Sequence, residues 1–259
     1  MAVQHARAAL QDWQLELNRN CFLRNNDFAH SVSYFFPNEP IFKQELEGFA
    51  GQVVNSLEKI VSVNDQYDNR PRFEAYDAIG QRQDRVVHSP WYGLAGDVIY
   101  GSGLMQKIAE PGQLLKAMCF FFLSSHAGEA GHNCPIACSA GLIRVLKKHP
   151  ELPNQQFYLD KLTALSYQDN YTGAQFLTEI QGGSDVGANA VLAEKQHDGT
   201  YKISGEKWFC SNANADLILL TARHDVAVEG SRGLGLFLLP ARLADGSNNH
   251  YLIRRLKDK

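Results

Sequence analysis

Near residue 170 the chain changes its hydrophobic period, and that change bounds what it can fold into. Before it, apolar residues recur at three- and four-residue steps. Phe42, Leu46, Phe49, Val53, Leu57 and Ile60 form one stripe, which predicts an amphipathic helix over residues 41–63. Pro40 stands just ahead of it, a favoured first helical position. Two more helices are predicted over Leu114–Ala130 and Pro135–Lys148, the second stopped by Pro150 after Lys147, Lys148 and His149. The polar stretch Asn64–Arg72 reads as a loop. From about Ala174 the pattern becomes short apolar runs with turn signals. Asp198-Gly199 separates Ala190–Gln196 from Tyr201–Ser204, a tight-hairpin signature. Leu217–Ala222, Leu234–Leu239 and His250–Leu256 are further predicted strands. Helices followed by strands, without β-α-β alternation, predict an α+β fold. The expected organisation is an N-terminal all-α domain over residues 1–170 and an antiparallel β domain over 171–259.

A length of 259 residues suits one large or two modest domains, and 44% hydrophobic against 20% charged residues excludes wholesale disorder. The net charge of −3 gives no reason to expect a nucleic acid partner. The terminal basic cluster Arg254, Arg255, Lys257 and Lys259 reads as a solvated strand end. Five cysteines, odd in number and scattered, with no secretory apolar segment ahead of them, point to reduced thiols in an intracellular setting. Cytoplasm and mitochondrion stay open, although Asp12 and Glu16 beside Arg7 argue against a mitochondrial presequence. The richest apolar run, Met118–Leu123, is far too short to span a membrane.

Two stretches carry chemistry. In Phe176-Leu-Thr-Glu-Ile-Gln-Gly-Gly-Ser-Asp-Val-Gly-Ala188 we expect a strand ending in Thr178-Glu179, a tight Gly182-Gly183 turn, and then Ser184-Asp185. Glycines let a backbone approach a ligand closely, and N–H groups at such a turn can bind phosphate oxygens. Thr178 and Ser184 add hydroxyl donors. An ordinary turn fits the same residues. Gly205-Glu-Lys-Trp-Phe-Cys-Ser-Asn212 places an aromatic pair beside a small hydroxyl, which suits a flat heterocycle. The alternative is an amphipathic strand with Trp208 or Phe209 in the core, since neighbours on a strand face opposite sides.

Other groupings are weaker. His126, His132, Cys134 and Cys138 match no zinc spacing, so no structural metal is expected and the group should be inert and mostly buried. Gly101-Ser-Gly103 lacks a third glycine and a preceding strand. Glu179 lies in the first motif and Glu129 in Glu129-Ala-Gly131, and Glu179 reads as a hydrogen-bonded structural carboxylate rather than a base.

Thr178-Glu-Ile-Gln-Gly-Gly-Ser-Asp185 with Lys207-Trp-Phe-Cys-Ser211 resembles the flavin site of the acyl-CoA dehydrogenases, most closely the alkylation-response (AidB-like) branch. Tyr76-Asp-Ala-x-Gly80, His88-Ser-Pro-Trp91, Glu129-Ala-Gly131, Cys134-Pro-Ile136 and Arg255-Leu-Lys-Asp-Lys259 extend the resemblance. It implies an FAD-dependent α,β-dehydrogenation of an acyl-CoA thioester, with hydride passing to the flavin. Gln175, Phe176, Leu177, Thr178, Gly183 and Ser184 would line the cofactor from one segment, and Phe209, Cys210 and Ser211 from the other. Thr178 and Ser211 would hydrogen-bond the isoalloxazine, and Phe209 would cover its ring. Ser184 would lie by the pyrophosphate and also near the acyl carrier. Ile180-Gln181 stands where the family commonly has Pro-Gly, and Phe209 where it often has Trp. The implied C-terminal helical bundle, with its catalytic base, is absent from this chain, so no catalytic residue is named. The resemblance further implies a homo-oligomer at full length. We therefore expect the chain alone to hold FAD poorly and to lack turnover. Acyl chain length and electron acceptor stay open. The alternative is a flavin-containing protein that binds acyl chains or associates with nucleic acid and turns over little.

Overall fold

The structure, a computed structural model, describes residues 2–257. Its contacts divide the chain into two compact units. The first takes in the chain up to Arg72, then Val87–Asn133 and Thr163–Asn170; the second takes in Phe73–Val86, Cys134–Leu162 and the chain from Tyr171 onward.

The first unit is helical: α1 (Ala2–Leu17), α2 (Cys21–Arg24), α3 (Asn26–Phe35), α4 (Pro40–Gln52), α5 (Glu58–Asn64), α6 (Pro90–Gly101), α7 (Leu104–Ala109) and α8 (Leu114–His126). The predicted stripe is the buried face of α4. Phe42, Leu46, Phe49, Val53 and Leu57 are buried, and Phe120 of α8 packs its ring 6.3 Å from that of Phe42 and 5.3 Å from that of Phe49. Each such side chain contributes roughly 1.5–3 kcal/mol by leaving water. Between α4 and α5 the ladder loosens into a π turn over Val53–Leu57. α8 ends at His126 rather than Ala130, because Gly128 turns left-handed at φ 76°. Close packing at α6 depends on Gly96, where a Cβ would come within 2.6 Å of the Tyr167 ring. His88, Tyr92 and His132 stack in a column with centroid spacings of 4.1 and 3.9 Å.

The second unit holds α9 (Asn133–Lys148), α10 (Gln155–Leu162) and two sheets. Pro135 lies in the first turn of α9, where no intrahelical N–H is needed, so it does not interrupt the helix. A two-stranded hairpin, β1 (Arg72–Tyr76) and β2 (Arg82–Val87), begins where the expected loop Asn64–Arg72 ends and was not among the predicted strands. The larger sheet joins β3 (Gly173–Phe176), β4 (Leu192–Lys195), β5 (Tyr201–Ser204), β6 (Leu217–Arg223) and β7 (Leu234–Pro240). β6 is central and apolar over Leu217–Leu220, as a strand covered on both faces must be. β7 runs antiparallel along its whole length, while β3 pairs parallel with Leu217–Leu220 and β4 touches Arg223.

The expected order of helices then sheet holds, and the Asp198-Gly199 hairpin is β4–β5. The sheet is mixed rather than wholly antiparallel. A parallel pair needs a long crossover, and the residues between β3 and β6 provide one. His250–Leu256 is not a strand: it joins no ladder, and Ile253 is held by side chains, its N–H donating to Asp84 Oδ2 at 3.0 Å and its carbonyl accepting from Arg82 at 3.2 Å. The core of this unit comprises Ala174, Phe176, Val191, Ala193, Ala215, Ile218, Leu220 and Ala222, the inward set on alternating strands. Gly173 lets β3 start against α9: its N–H donates to Ser139 Oγ at 2.8 Å, and a Cβ there would meet Ser139 Cα at 2.9 Å.

Candidate functional site

Strand β3 ends at Phe176, two residues short of the expected Thr178-Glu179. The carbonyl of Leu177 leaves the ladder and accepts Asn189 Nδ2 at 2.9 Å and Lys207 Nζ at 3.2 Å. The tight turn that follows is Glu179–Gly182, closed by two reciprocal N–H···O bonds of 3.1 Å, with Ile180 and Gln181 at its corner. The expected Gly182-Gly183 turn is therefore displaced toward the N-terminus. Gly182 allows a close return, since a Cβ there would lie 3.0 Å from Asp185 O.

Glu179 is 3% exposed and fully engaged. It accepts Ala190 N–H at 2.7 Å, Val191 N–H at 3.3 Å, Gln181 Nε2 at 2.6 Å and Lys207 Nζ at 2.6 Å. Burial pushes its carboxyl up, but Lys207 and the N–H groups of Ala190 and Val191 outweigh that and hold it below the ordinary value. The Lys207 ammonium spends its three donors on Glu179 Oε1, Leu177 O and Thr221 Oγ1. This buried pair ties together two segments 28 residues apart.

The second segment, Lys207–Asn212, is anchored at both ends. Trp208 N–H donates to Thr178 O at 2.8 Å, and Asn212 Nδ2 reaches Thr172 Oγ1 and Gly173 O at 3.1 Å each. It is not a strand. Phe209 and Asn212 adopt left-handed φ of 55° and 54°, which breaks extended backbone and costs of order 1 kcal/mol or more at a non-glycine residue. The expectation that Trp208 or Phe209 enters the core fails for that reason: both are exposed, with Phe209 at 64%, and their ring centroids lie 5.3 Å apart. Cys210 turns inward instead and packs against the sheet core, where burial pushes its thiol up to about 11.

Of the predicted cofactor residues, Gln175, Leu177, Gly183, Ser184, Phe209 and Ser211 are exposed, Thr178 is half-buried, and the side chain of Phe176 faces the core. Among the described residues the hydroxyls of Thr178, Ser184 and Ser211 have no hydrogen-bond partner. A planar ligand would find an apolar face in Leu177, Trp208 and Phe209 and hydroxyl donors on both segments. Lys207, Asn189 and Asn212 were missed as positioning residues. So was Arg223, whose guanidinium holds Asn189 O, Gly187 O and Val228 O and orders the turn after Ser184. Its only sequence signal is a cation closing the apolar run of β6.

Among the described residues Glu129 has no cation beside it: it accepts the N–H groups of His132 at 2.8 Å and Asn133 at 3.0 Å, and burial holds its carboxyl above the ordinary value. Neither acid is placed as a base. The Cys/His group does not converge: His132 is buried in its ring column, whereas Cys134 is exposed, contrary to the expected burial. Among the described residues no group of three or more His, Cys, Asp or Glu side chains could hold a metal, and no helix is long and apolar enough to cross a membrane.

Two family profiles match. "Acyl-CoA dehydrogenase, middle domain" matches residues 174–257, and "Adaptive response protein AidB N-terminal domain" matches residues 16–169. Acyl-CoA dehydrogenase family member 11 of Caenorhabditis elegans is 33% identical over 207 residues, covering 73% of this chain and 33% of that protein. The 3-methylmercaptopropionyl-CoA dehydrogenase of Ruegeria pomeroyi is 40% identical over 206 residues, covering 78% of this chain and 33% of that protein. The crystal structure of C. elegans ACDH-11 in complex with C11-CoA superimposes with a TM-score of 0.82 at 26% identity, over 93% of this chain and 42% of that one. The chain thus spans about a third of the length of the curated relatives it matches. With both profiles in chain order and the fold shared across nearly all of its length, the chain belongs to the acyl-CoA dehydrogenase family, in its AidB-like branch.

Proposed function

We propose that the segments Gln175–Ser184 and Lys207–Asn212 form one wall of an FAD site, in a protein that carries out α,β-dehydrogenation of an acyl-CoA thioester. The observation that carries this reading is the buried Glu179–Lys207 pair, which holds unpartnered hydroxyls beside an exposed aromatic face. The residues fit the cofactor. A flat ring would cover Phe209 and Leu177, removing apolar surface from water. Thr178 and Ser211 can donate to ring heteroatoms, and Phe176 and Cys210 contribute backbone only, their side chains being turned inward. Flavin supplies the electron sink for hydride transfer; the protein orients and desolvates. Ser184, exposed beyond the Glu179–Gly182 turn, is the residue assigned to the pyrophosphate and the acyl carrier. An acyl-CoA substrate accords with the relative solved with C11-CoA. No base is assigned on this chain. The organisation proposed is a helical domain over 1–170 and a β domain over 171–259, in an intracellular homo-oligomer. The five free thiols accord with a reducing compartment.

Titrating the full-length protein with FAD and following flavin fluorescence tests the site. Phe209→Ala and Thr178→Ala/Ser211→Ala should each weaken binding, and unchanged titrations for both would remove these segments from it. A second reading, a flavoprotein that binds acyl chains or nucleic acid with little turnover, is favoured by Ile180-Gln181 and Phe209, which stand where the family commonly has Pro-Gly and often has Trp. Anaerobic addition of acyl-CoAs to the flavin-loaded full-length protein separates the two. Rapid bleaching supports dehydrogenation, and binding without bleaching supports the second reading.

A further inference from the structure

The terminal strap, residues 250–257, is fixed to the candidate site at successive points although it forms no ladder. Ile253 is buried and held on both sides of its peptide by Arg82 and Asp84. Asp84 adopts a left-handed φ of 47°, an uncommon conformation outside glycine, in the geometry that presents its carboxylate to the strap. Arg254 pairs with Glu206 at 2.9 Å, immediately before Lys207. Tyr251 reaches Ala213 O at 3.5 Å, beyond the other end of the same segment. These attachments deliver Lys257 to Phe209, with Nζ 4.8 Å from the ring centroid. Among the described residues Lys257 has no carboxylate partner.

An ammonium with no counter-ion among the described residues, set over an exposed aromatic ring, makes the local potential positive beside an apolar surface. Such a site favours a ligand that joins a planar apolar part to an anion. We infer that Lys257 is a positioning residue that binds a phosphate group of the ligand seated on Phe209. This rests on the function proposed above, in which both the cofactor and the acyl carrier bear phosphates.

The test compares unaltered protein with Lys257→Met and Lys257→Arg, using ligand pairs that differ in phosphate: riboflavin against FMN and FAD, and pantetheine against CoA. Lys257→Met should lower affinity for the phosphate-bearing member about fivefold at low salt, the scale of a partly exposed ion pair. It should leave the phosphate-free member unchanged, and Lys257→Arg should retain most of the affinity. The gap should close at high salt, where exposed charge interactions are screened. A loss confined to FMN and FAD assigns the cofactor phosphate, and one confined to CoA assigns the carrier; either supports the inference. Equal change for both members of a pair, or no change, overturns it while leaving the flavin reading intact. If the unaltered full-length protein binds none of these ligands, the site reading itself fails and the inference falls with it.

Discussion

Replacing Lys207 by methionine should destabilise the second unit by about 3–5 kcal/mol, the cost of leaving one partner of a buried ion pair unneutralised. Methionine keeps the length and most of the volume of the lysine stem, so the cavity contribution is small and the loss is electrostatic. Three hydrogen bonds disappear, to Glu179 Oε1, Leu177 O and Thr221 Oγ1. Glu179 stays 3% exposed, with only Ala190 N–H, Val191 N–H and Gln181 to oppose its charge. Protonation then becomes its escape, which sets the sign of the pH dependence. In the unaltered protein the carboxyl is held below its ordinary value near 4.5, so its contribution is fully present above that pH and is lost as pH falls through the folded value. In Lys207→Met burial dominates, the folded value rises above 4.5, and acidification should lessen the deficit relative to unaltered protein. Glu179→Gln combined with Lys207→Met removes both charges and should recover at least about 1 kcal/mol over Lys207→Met alone. The assay is denaturant unfolding of the unaltered protein, the single variants Lys207→Met and Glu179→Gln and the double variant, at neutral and acidic pH, read by tryptophan fluorescence and circular dichroism. A Lys207→Met protein within about 0.5 kcal/mol of the original, or strictly additive single changes, would refute the reasoning.

Three further outcomes are expected. Ser211→Ala should weaken FAD binding by about 1 kcal/mol, one ordinary hydrogen bond, or shift the flavin potential; unchanged affinity and potential would exclude Ser211 from the ring contact. Gly96→Ala should destabilise the first unit by about 1–3 kcal/mol, since the new methyl meets the Tyr167 ring, and a thermal melt at unchanged midpoint would contradict the packing. Burial, with the neighbouring His88 adding to it and the Tyr92 carbonyl opposing it, lowers His132 from 6.5 to about 4. The folded protein therefore binds fewer protons than the unfolded chain across that window, and stability should fall by about 3 kcal/mol as pH drops from 6.5 to 4. His132→Phe should flatten that limb in pH-dependent denaturation curves, and an unchanged slope would place the titration elsewhere.

What the sequence made legible follows from which interactions leave a periodic trace. The stripe from Phe42 to Leu57 repeats because one helical face is buried, and it survives the π turn because Val53, Val54 and Leu57 are all apolar and buried. The turn itself left no sign, since widening the ladder by one residue changes bonding without changing residue type. Asp198-Gly199 was readable because φ of 85° at Gly199 demands glycine. The β1–β2 hairpin was not, because none of its residues is fully buried and β2 opens on four polar residues, so no alternation marks it. The parallel pairing of β3 with β6 is a matter of crossover topology, on which local pattern is silent.

The site divides along the same line. Residue types were readable: hydroxyls, glycines and an aromatic pair in two short motifs. Their orientation was not, because Phe209 and Asn212 take left-handed conformations where no glycine announces them. Treating Lys207–Asn212 as extended sent one aromatic into the core; the actual kinks leave Trp208 and Phe209 both outside and turn Cys210 in. Glu179 was legible as a structural carboxylate, yet its partner lies 28 residues away and only the fold joins them. That separation explains why the site is held by polar contacts. An apolar clamp would compete with the ligand for Phe209 and Leu177. A buried ion pair instead fixes the two segments from behind and leaves Leu177, Trp208 and Phe209 exposed for the ring proposed to bind there.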